Sequence, residues 1–373
     1  MTELTGNLAI NGALHHGTVR FGTHIEHVHI RQLDPVPGAL TIIPGFVDVH
    51  VHGGGGADTM DGAEATMQLA QFHLAHGTTT LVPTTITEQP AAILRAVQGV
   101  QEAAQGAPSH IAGVHIEGPF INPKKLGAQP AHARPLDLDE LTMLLATGAV
   151  RIITLAPEMG VPAAALVLLA EHNVAVSIGH TLATYDEAAE FAARAHAAGV
   201  QVGYTHLYNA MPGLASRAPG VVGAALANPH GYAELILDLH HVHEAAALVA
   251  HRVLKKRFML ITDAIRAAGM PNGESELGGQ VVEVTDGQAR LADGTLAGST
   301  LTMWKAFKNA LGIGFSVAEA SFAAATAPAN YLRLAHVGRI QTGARADLLV
   351  LTASQEASAG FVQGTEFTLQ VSA

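Results

Sequence analysis

The sequence predicts an α/β chain: a (β/α)8 TIM-type barrel with a small β-sandwich domain formed from both chain ends. Three observations predict it. Short apolar runs alternate with alanine-rich amphipathic segments through the middle of the chain, eight runs can be counted, and imidazoles and carboxylates interrupt those runs at one end. The alternation alone also suits an open doubly wound sheet. A length of 373 residues accommodates both parts.

Composition narrows the function classes. Hydrophobic content of 49% with 14% charged residues describes a packed core rather than a disordered chain. A net charge of −11 argues against nucleic acid as the main partner, because a phosphate backbone needs a basic face. It leaves room for a small anionic substrate. There are no cysteines, hence no disulfides and no thiolate chemistry. Residues Met1 to Ile10 lack the apolar core of a signal peptide, and no apolar run approaches the roughly 18 residues of a membrane span. A cytoplasmic location is expected.

Residues 1–43 hold alternating segments such as Thr18 to Gly22 and His24 to Ile30, which read as an antiparallel sheet with one wet face. The histidines there (His15, His16, His24, His27, His29) fall on the polar phase and are expected at the surface. The barrel is expected over 44–337. Its strands are predicted at Phe46 to His52, Thr79 to Thr84, Ile111 to Glu117, Arg151 to Pro157, Val174 to His180, Val202 to Tyr208, Glu234 to His241 and Phe258 to Asp263. Helical segments between them include Ala63 to Ala75, Pro90 to Ala104, Leu138 to Ala146, Thr184 to Ala198 and Glu244 to Leu254. Thr184 followed by Glu187 has the spacing of a capping box, and Gly199 stands where a C-terminal cap would. Residues 270–295 interrupt the alternation with a hairpin turning at Asp286-Gly287. Helices follow, from about Thr300 to Leu311 and Val317 to Thr326. The tail 338–373 returns to short strands and is expected to pair with residues 1–43.

Polar residues mark the carboxyl ends of the apolar runs: His50 and His52, His115 and Glu117, His180, His206 and Asn209, Asp238 and His241, and Asp263. In a barrel those ends converge on the face that carries active sites. Each residue alone has a plainer explanation, a hydrogen-bonded core histidine or a helix-capping aspartate. Repetition at one relative position is harder to explain that way. Imidazoles and carboxylates without thiolates suit Zn²⁺, Fe²⁺ or a similar ion, which can activate water and polarise a carbonyl. Asp263, ending the last run, is the candidate to move the water's proton.

The motifs Pro44 to Gly53, His115-Ile116-Glu117-Gly118-Pro119-Phe120, Gly179-His180-Thr181, Thr205 to Met211, Thr262-Asp263-Ala264 and Leu296 to Thr300 run in order along the chain. This combination resembles the amidohydrolase superfamily and, within it, the N-acetylglucosamine-6-phosphate deacetylase family. The tail Gly343 to Val350 is similar to that family's closing strands. His-x-His is shared across the superfamily; His-x-Glu-Gly-Pro with Thr-His-Leu-Tyr-Asn-Ala-Met is specific.

The resemblance implies that Glu117, His180 and His206 hold a principal divalent metal, that His50 and His52 can hold a second, and that Asp263 is general base, then general acid. It implies substrate contacts from Gly118, Gln129, Asn209, Ala210, Arg217 and His241, with Arg217 reaching into the neighbouring subunit of a homodimer. The substrate would be a phosphosugar, N-acetyl-D-glucosamine 6-phosphate, hydrolysed to the amine and acetate. Gln129 departs from a histidine common among relatives, and His240 and His243 flank His241 as extra imidazoles expected on the barrel wall or in solvent. Alternatives are a related amidohydrolase acting on another N-acyl amino sugar or a cyclic amide, and a metal-free barrel that only binds. The last is disfavoured because every implied ligand is present.

Overall fold

The computed structural model describes residues 1–371. The barrel strands are Phe46–Val51, Thr78–Thr85, Val114–Glu117, Val150–Leu155, Ala175–Ile178, Val202–Tyr204, Tyr232–Ile236 and Phe258–Ile261, each hydrogen-bonded in parallel to the next. Val, Ile and Leu dominate them because both faces are buried, one by the barrel interior and one by the helices. The first and last strands close on each other by a seam. Asp263 N–H donates to the His50 carbonyl and His52 N–H to the Ala264 carbonyl, each at 2.9 Å. Lower down, the buried Asp48 carboxylate takes the Thr262 hydroxyl at 2.6 Å and the Thr262 N–H at 3.3 Å. Burial pushes the Asp48 carboxyl up to about 7 despite these donors.

Most strands are shorter than the sequence suggests. Ala175–Ile178 stops two residues before His180, and Tyr232–Ile236 stops before Asp238 and His241. The third run is split: His110–Ile111 pairs with Thr78–Thr85, and Val114–Glu117 resumes after Gly113, whose φ is 140°. His50 and Glu117 therefore sit on strands, while His52, His180, His206, His241 and Asp263 sit on the loops just beyond strand ends.

The helices Ala63–Ala75 and Glu244–Leu254 fall as expected, and Pro90–Ala103 and Leu138–Leu145 stop one residue short. Tyr185–Ala197 begins with the Thr184/Glu187 capping box, and Gly199 follows its end at φ 83°. Val317–Ser321, the π-helical Phe322–Thr326 and Ala327–Tyr331 run on from one another, so the last segment extends beyond its expected end. Residues 270–295 form three antiparallel strands, Gly273–Leu277, Gln280–Thr285 and Gln288–Arg290, with Asp286 and Gly287 both at positive φ as the turn requires.

Both ends of the chain meet in one seven-stranded sheet. Thr41–Pro44 runs parallel to Thr2–Ile10 on one side and antiparallel to Leu348–Leu351 on the other. Four strand spacings, about 19 Å if flat, separate Ala13–Phe21 from Ala357–Val362. Yet the rings of Phe21 and Phe361 lie 5.3 Å apart, so the sheet folds over on itself around a small core with Leu8, Val19, Ile25, Ile42 and Leu348. That fold-over makes the sandwich. His24, His27 and His29 are exposed; His15 and His16 are half-buried.

Candidate metal-dependent active site

Glu117 ends the third barrel strand and is almost fully buried. Four imidazole nitrogens surround its carboxylate. Oε1 lies 3.1 Å from Nε2 of both His180 and His206 and 3.4 Å from His50 Nε2, while Oε2 lies 3.0 Å from His52 Nε2. Asp263 Oδ1 completes the group, 3.4 Å from His50 Nε2 and 3.3 Å from His52 Nε2. Two sets of three, His50/His52/Glu117 and Glu117/His180/His206, each bring their donor atoms within 4.8 Å of one another.

The backbone explains how side chains from separate strands converge. His180, His206 and Asp263 have φ of 47°, 31° and 50°, a left-handed conformation costly for residues with a Cβ. It turns each side chain from the strand direction toward the barrel axis. The Leu296 to Thr300 segment straps Asp263 in place: Ser299 N–H donates to the Asp263 carbonyl at 2.8 Å, and Ser299 Oγ donates to the Thr262 carbonyl at 2.6 Å. Gly298 has φ 57°, and a Cβ there would stand 2.5 Å from Ile265 Cγ2 and 2.9 Å from the Asp263 carbonyl oxygen. Only glycine fits that strap.

The electrostatics suit a cation. Burial opposes charge on Glu117, but His50, His180 and His206 hold its carboxyl well below the usual carboxylate range. Burial likewise opposes ionisation of Asp263, which His50 and His52 hold down to about 2. His180 Nδ1 lies 2.9 Å from the Lys125 carbonyl and so must donate to it, which in the neutral ring leaves Nε2 as a lone pair. That lone pair faces His206 Nε2 at 3.0 Å and a carboxylate oxygen. Imidazole nitrogens and carboxylate oxygens gathered this closely, without sulfur, fit a divalent ion.

Above the cluster opens a cavity of about 400 Å³. Of the expected residues, His52, Glu117, Gln129, His180, His206, Asn209, Ala210, His241 and Asp263 line it. His50 lies fully buried beneath. His241 is oriented by Asp238, whose Oδ2 accepts from Nδ1 at 2.7 Å and whose Oδ1 accepts the His241 N–H at 2.8 Å. The Gln129 amide is fixed at both ends: Oε1 accepts the Thr87 N–H at 2.7 Å and Nε2 donates to Glu117 Oε2 at 2.5 Å. It therefore steadies the central carboxylate as well as facing the cavity. His240 and His243 are exposed, and His243 caps the helix Glu244–Leu254.

Two expected contacts are not brought to this cavity. Gly118 packs against Thr87, whose Oγ1 would stand 2.0 Å from an added Cβ, so its bare backbone serves packing. Arg217 is exposed and absent from the cavity wall. Conversely, Lys124, Lys125, Thr295 and Leu296 line the cavity without having been singled out as contacts. The paired lysines directly after Asn122-Pro123 were the available signal. Glu234 was also missed: its Oε2 lies 3.0 Å from His50 Nδ1, a contact between residues 184 apart in sequence.

A (β/α)8 barrel that gathers four imidazoles and two carboxylates at its strand ends defines a metal-dependent hydrolase of the amidohydrolase type. The chain belongs to the amidohydrolase family, whose model matches residues 41–367. Its relatives are more particular. It is 36% identical over 350 residues to N-acetylgalactosamine-6-phosphate deacetylase of Escherichia coli O157:H7, covering 90% of this chain and 91% of that one. It is 40% identical over 277 residues to N-acetylglucosamine-6-phosphate deacetylase of Bacillus subtilis, covering 72% and 69%. A solved structure of the Mycobacterium smegmatis N-acetyl-D-glucosamine-6-phosphate deacetylase, an aspartate-to-alanine mutant in complex with N-acetyl-D-glucosamine-6-phosphate, matches with TM-score 0.89 at 34% identity and 99% coverage of both chains. Among the described residues no helix is long and apolar enough to cross a membrane.

Proposed function

We propose that the chain hydrolyses N-acetyl-D-glucosamine 6-phosphate to D-glucosamine 6-phosphate and acetate. The observation that carries this is Glu117 ringed by His50, His52, His180 and His206 on a cavity floor that also presents Asp263. Glu117, His180 and His206 would hold the principal ion, and His50 and His52 with Glu117 a second. When bound, zinc or iron(II) there supplies Lewis acidity and brings the ionisation of a water toward neutral pH.

This chain's own residues do the rest. Asp263, ionised at neutral pH, accepts the proton of the water as its oxygen adds to the acetyl carbon. The carbon–nitrogen bond then breaks, and Asp263 returns the proton to the departing nitrogen. Asn209, Ala210, Gln129 and His241 line the cavity where the sugar and phosphate would lie. Arg217 stands in an exposed loop away from its own cavity, which suits a homodimer in which each chain lends it to the other. Residues 1–43 and 338–373 serve as the small domain and 44–337 as the barrel.

A second reading, N-acetyl-D-galactosamine 6-phosphate, is favoured by the Escherichia coli relative named for that sugar, at 36% identity over nine-tenths of both chains. The test is acetate release from both 6-phosphates and from the unphosphorylated sugars, alongside elemental analysis. Asp263→Asn should lower kcat by about 10²–10⁴-fold with metal content near normal. Retained turnover would remove Asp263 from its role, and a metal-free inactive protein would remove the hydrolase reading.

A further inference from the structure

Glu234 is a buried carboxylate beside the site for which the hydrolytic scheme has no use. It projects from the strand Tyr232–Ile236 and is fully buried. Its Oε2 lies 3.0 Å from His50 Nδ1 and accepts the backbone N–H of His206 at 3.3 Å, while Oε1 has no partner. One side chain thus grips residues from the first and the sixth barrel strands.

The four imidazoles differ in what holds their outer nitrogen. His180 donates Nδ1–H to a neutral carbonyl, and Nδ1 of His52 and of His206 has no partner. His50 alone meets a carboxylate. A proton on Nδ1, fixed by Glu234, leaves Nε2 as a lone pair and makes it a stronger donor to a cation. That nitrogen stands 3.4 Å from His52 Nε2, from Glu117 Oε1 and from Asp263 Oδ1. A neutral ring placed only to satisfy these oxygens would turn its N–H toward them and its lone pair outward. Glu234 blocks this, because the lone pair would then face a carboxylate with no other cation near.

Resting on the metal-dependent reading above, we propose that Glu234 is a positioning residue for a second divalent ion. It holds His50 in the Nδ1–H form so that His50, His52 and Glu117 make a site beside the principal one. The rival account is an imidazolium at His50, bridging Glu234 and Glu117 with no second ion.

The test uses the whole chain equilibrated against graded free zinc, with ions per chain read by elemental analysis, and nitrogen-15 histidine spectra of the zinc-loaded protein. Wild type should take up two ions, and the zinc-loaded spectra should place the proton of His50 on Nδ1 and the metal on Nε2. Glu234→Leu should keep the principal ion and weaken the second by about 10–100-fold. Glu234→Gln, which keeps the shape and an acceptor oxygen, guards against a variant that fails to fold and should weaken the second ion in the same direction, by less. One ion per wild-type chain, or a zinc-loaded His50 bound through Nδ1, overturns the proposal and leaves the hydrolase reading standing. So does unchanged affinity for the second ion in both variants. A wild-type chain that binds no ion overturns both.

Discussion

Left-handed backbone at His180, His206 and Asp263 costs on the order of 1–2 kcal/mol at each residue and persists only because neighbours over-determine it. For Asp263 the neighbour is the Gly298-Ser299 strap. Gly298→Ala should destabilise the fold by about 1–3 kcal/mol in urea unfolding and lower kcat more than it raises KM, since it displaces the proposed proton carrier rather than the substrate. An unchanged kcat would detach the strap from the chemistry. Residues of this kind were legible in the sequence because imidazoles and carboxylates interrupting apolar runs stand out. Glu234 was not: a lone glutamate in an apolar strand reads as a strand boundary until its partner 184 residues away is placed beside it. The packing of Gly118 against Thr87 was hidden for the converse reason, since glycine in a functional motif signals close approach without saying to what.

At the scale of elements, periodicity decided what could be read. The helix Tyr185–Ala197 was visible from its capping box and alternating faces, and Thr184→Ala should cost about 1 kcal/mol in thermal unfolding while leaving kcat unchanged. A loss of activity at constant stability would mean the helix does more than support the barrel. The helix Gly220–Ala227 was not called out because it is apolar all round and buried over most of its length, so no face contrasts with another. Strand ends were over-extended because His180, Asp238 and His241 continue apolar runs, while the turns that stop the strands are set by φ rather than by residue type.

For the whole molecule, two expectations concern its response to pH and to assembly. His73 is fully buried; burial pushes its imidazole down to about 4, with Nε2–H held by the Gly53 carbonyl at 2.9 Å. The folded chain refuses a proton that the unfolded chain accepts from pH 6.5 downward. Stability is therefore full above about pH 6.5 and falls as pH drops toward 4, by roughly 3 kcal/mol in all from this group. Urea midpoints across that range should slope less for His73→Gln than for wild type, and parallel slopes would acquit His73. Assembly is tested by mixing chains that carry Arg217→Ala with chains that carry Asp263→Asn. If each site borrows its arginine, hybrids regain one intact site, and acetate release should rise well above either parent; no recovery in a mixture shown to exchange subunits would place Arg217 outside the neighbour's site.

The central strand of the folded-over sheet, Thr41–Pro44, has Leu348–Leu351 as one of its two neighbours. A chain emerging from the ribosome at about 5–20 residues per second exposes the first strand roughly 15–60 s before its partner exists. Throughout that interval Ile42 and Ile43 present an open apolar edge, a natural landing place for a chaperone, and the barrel must mature on an unfinished base.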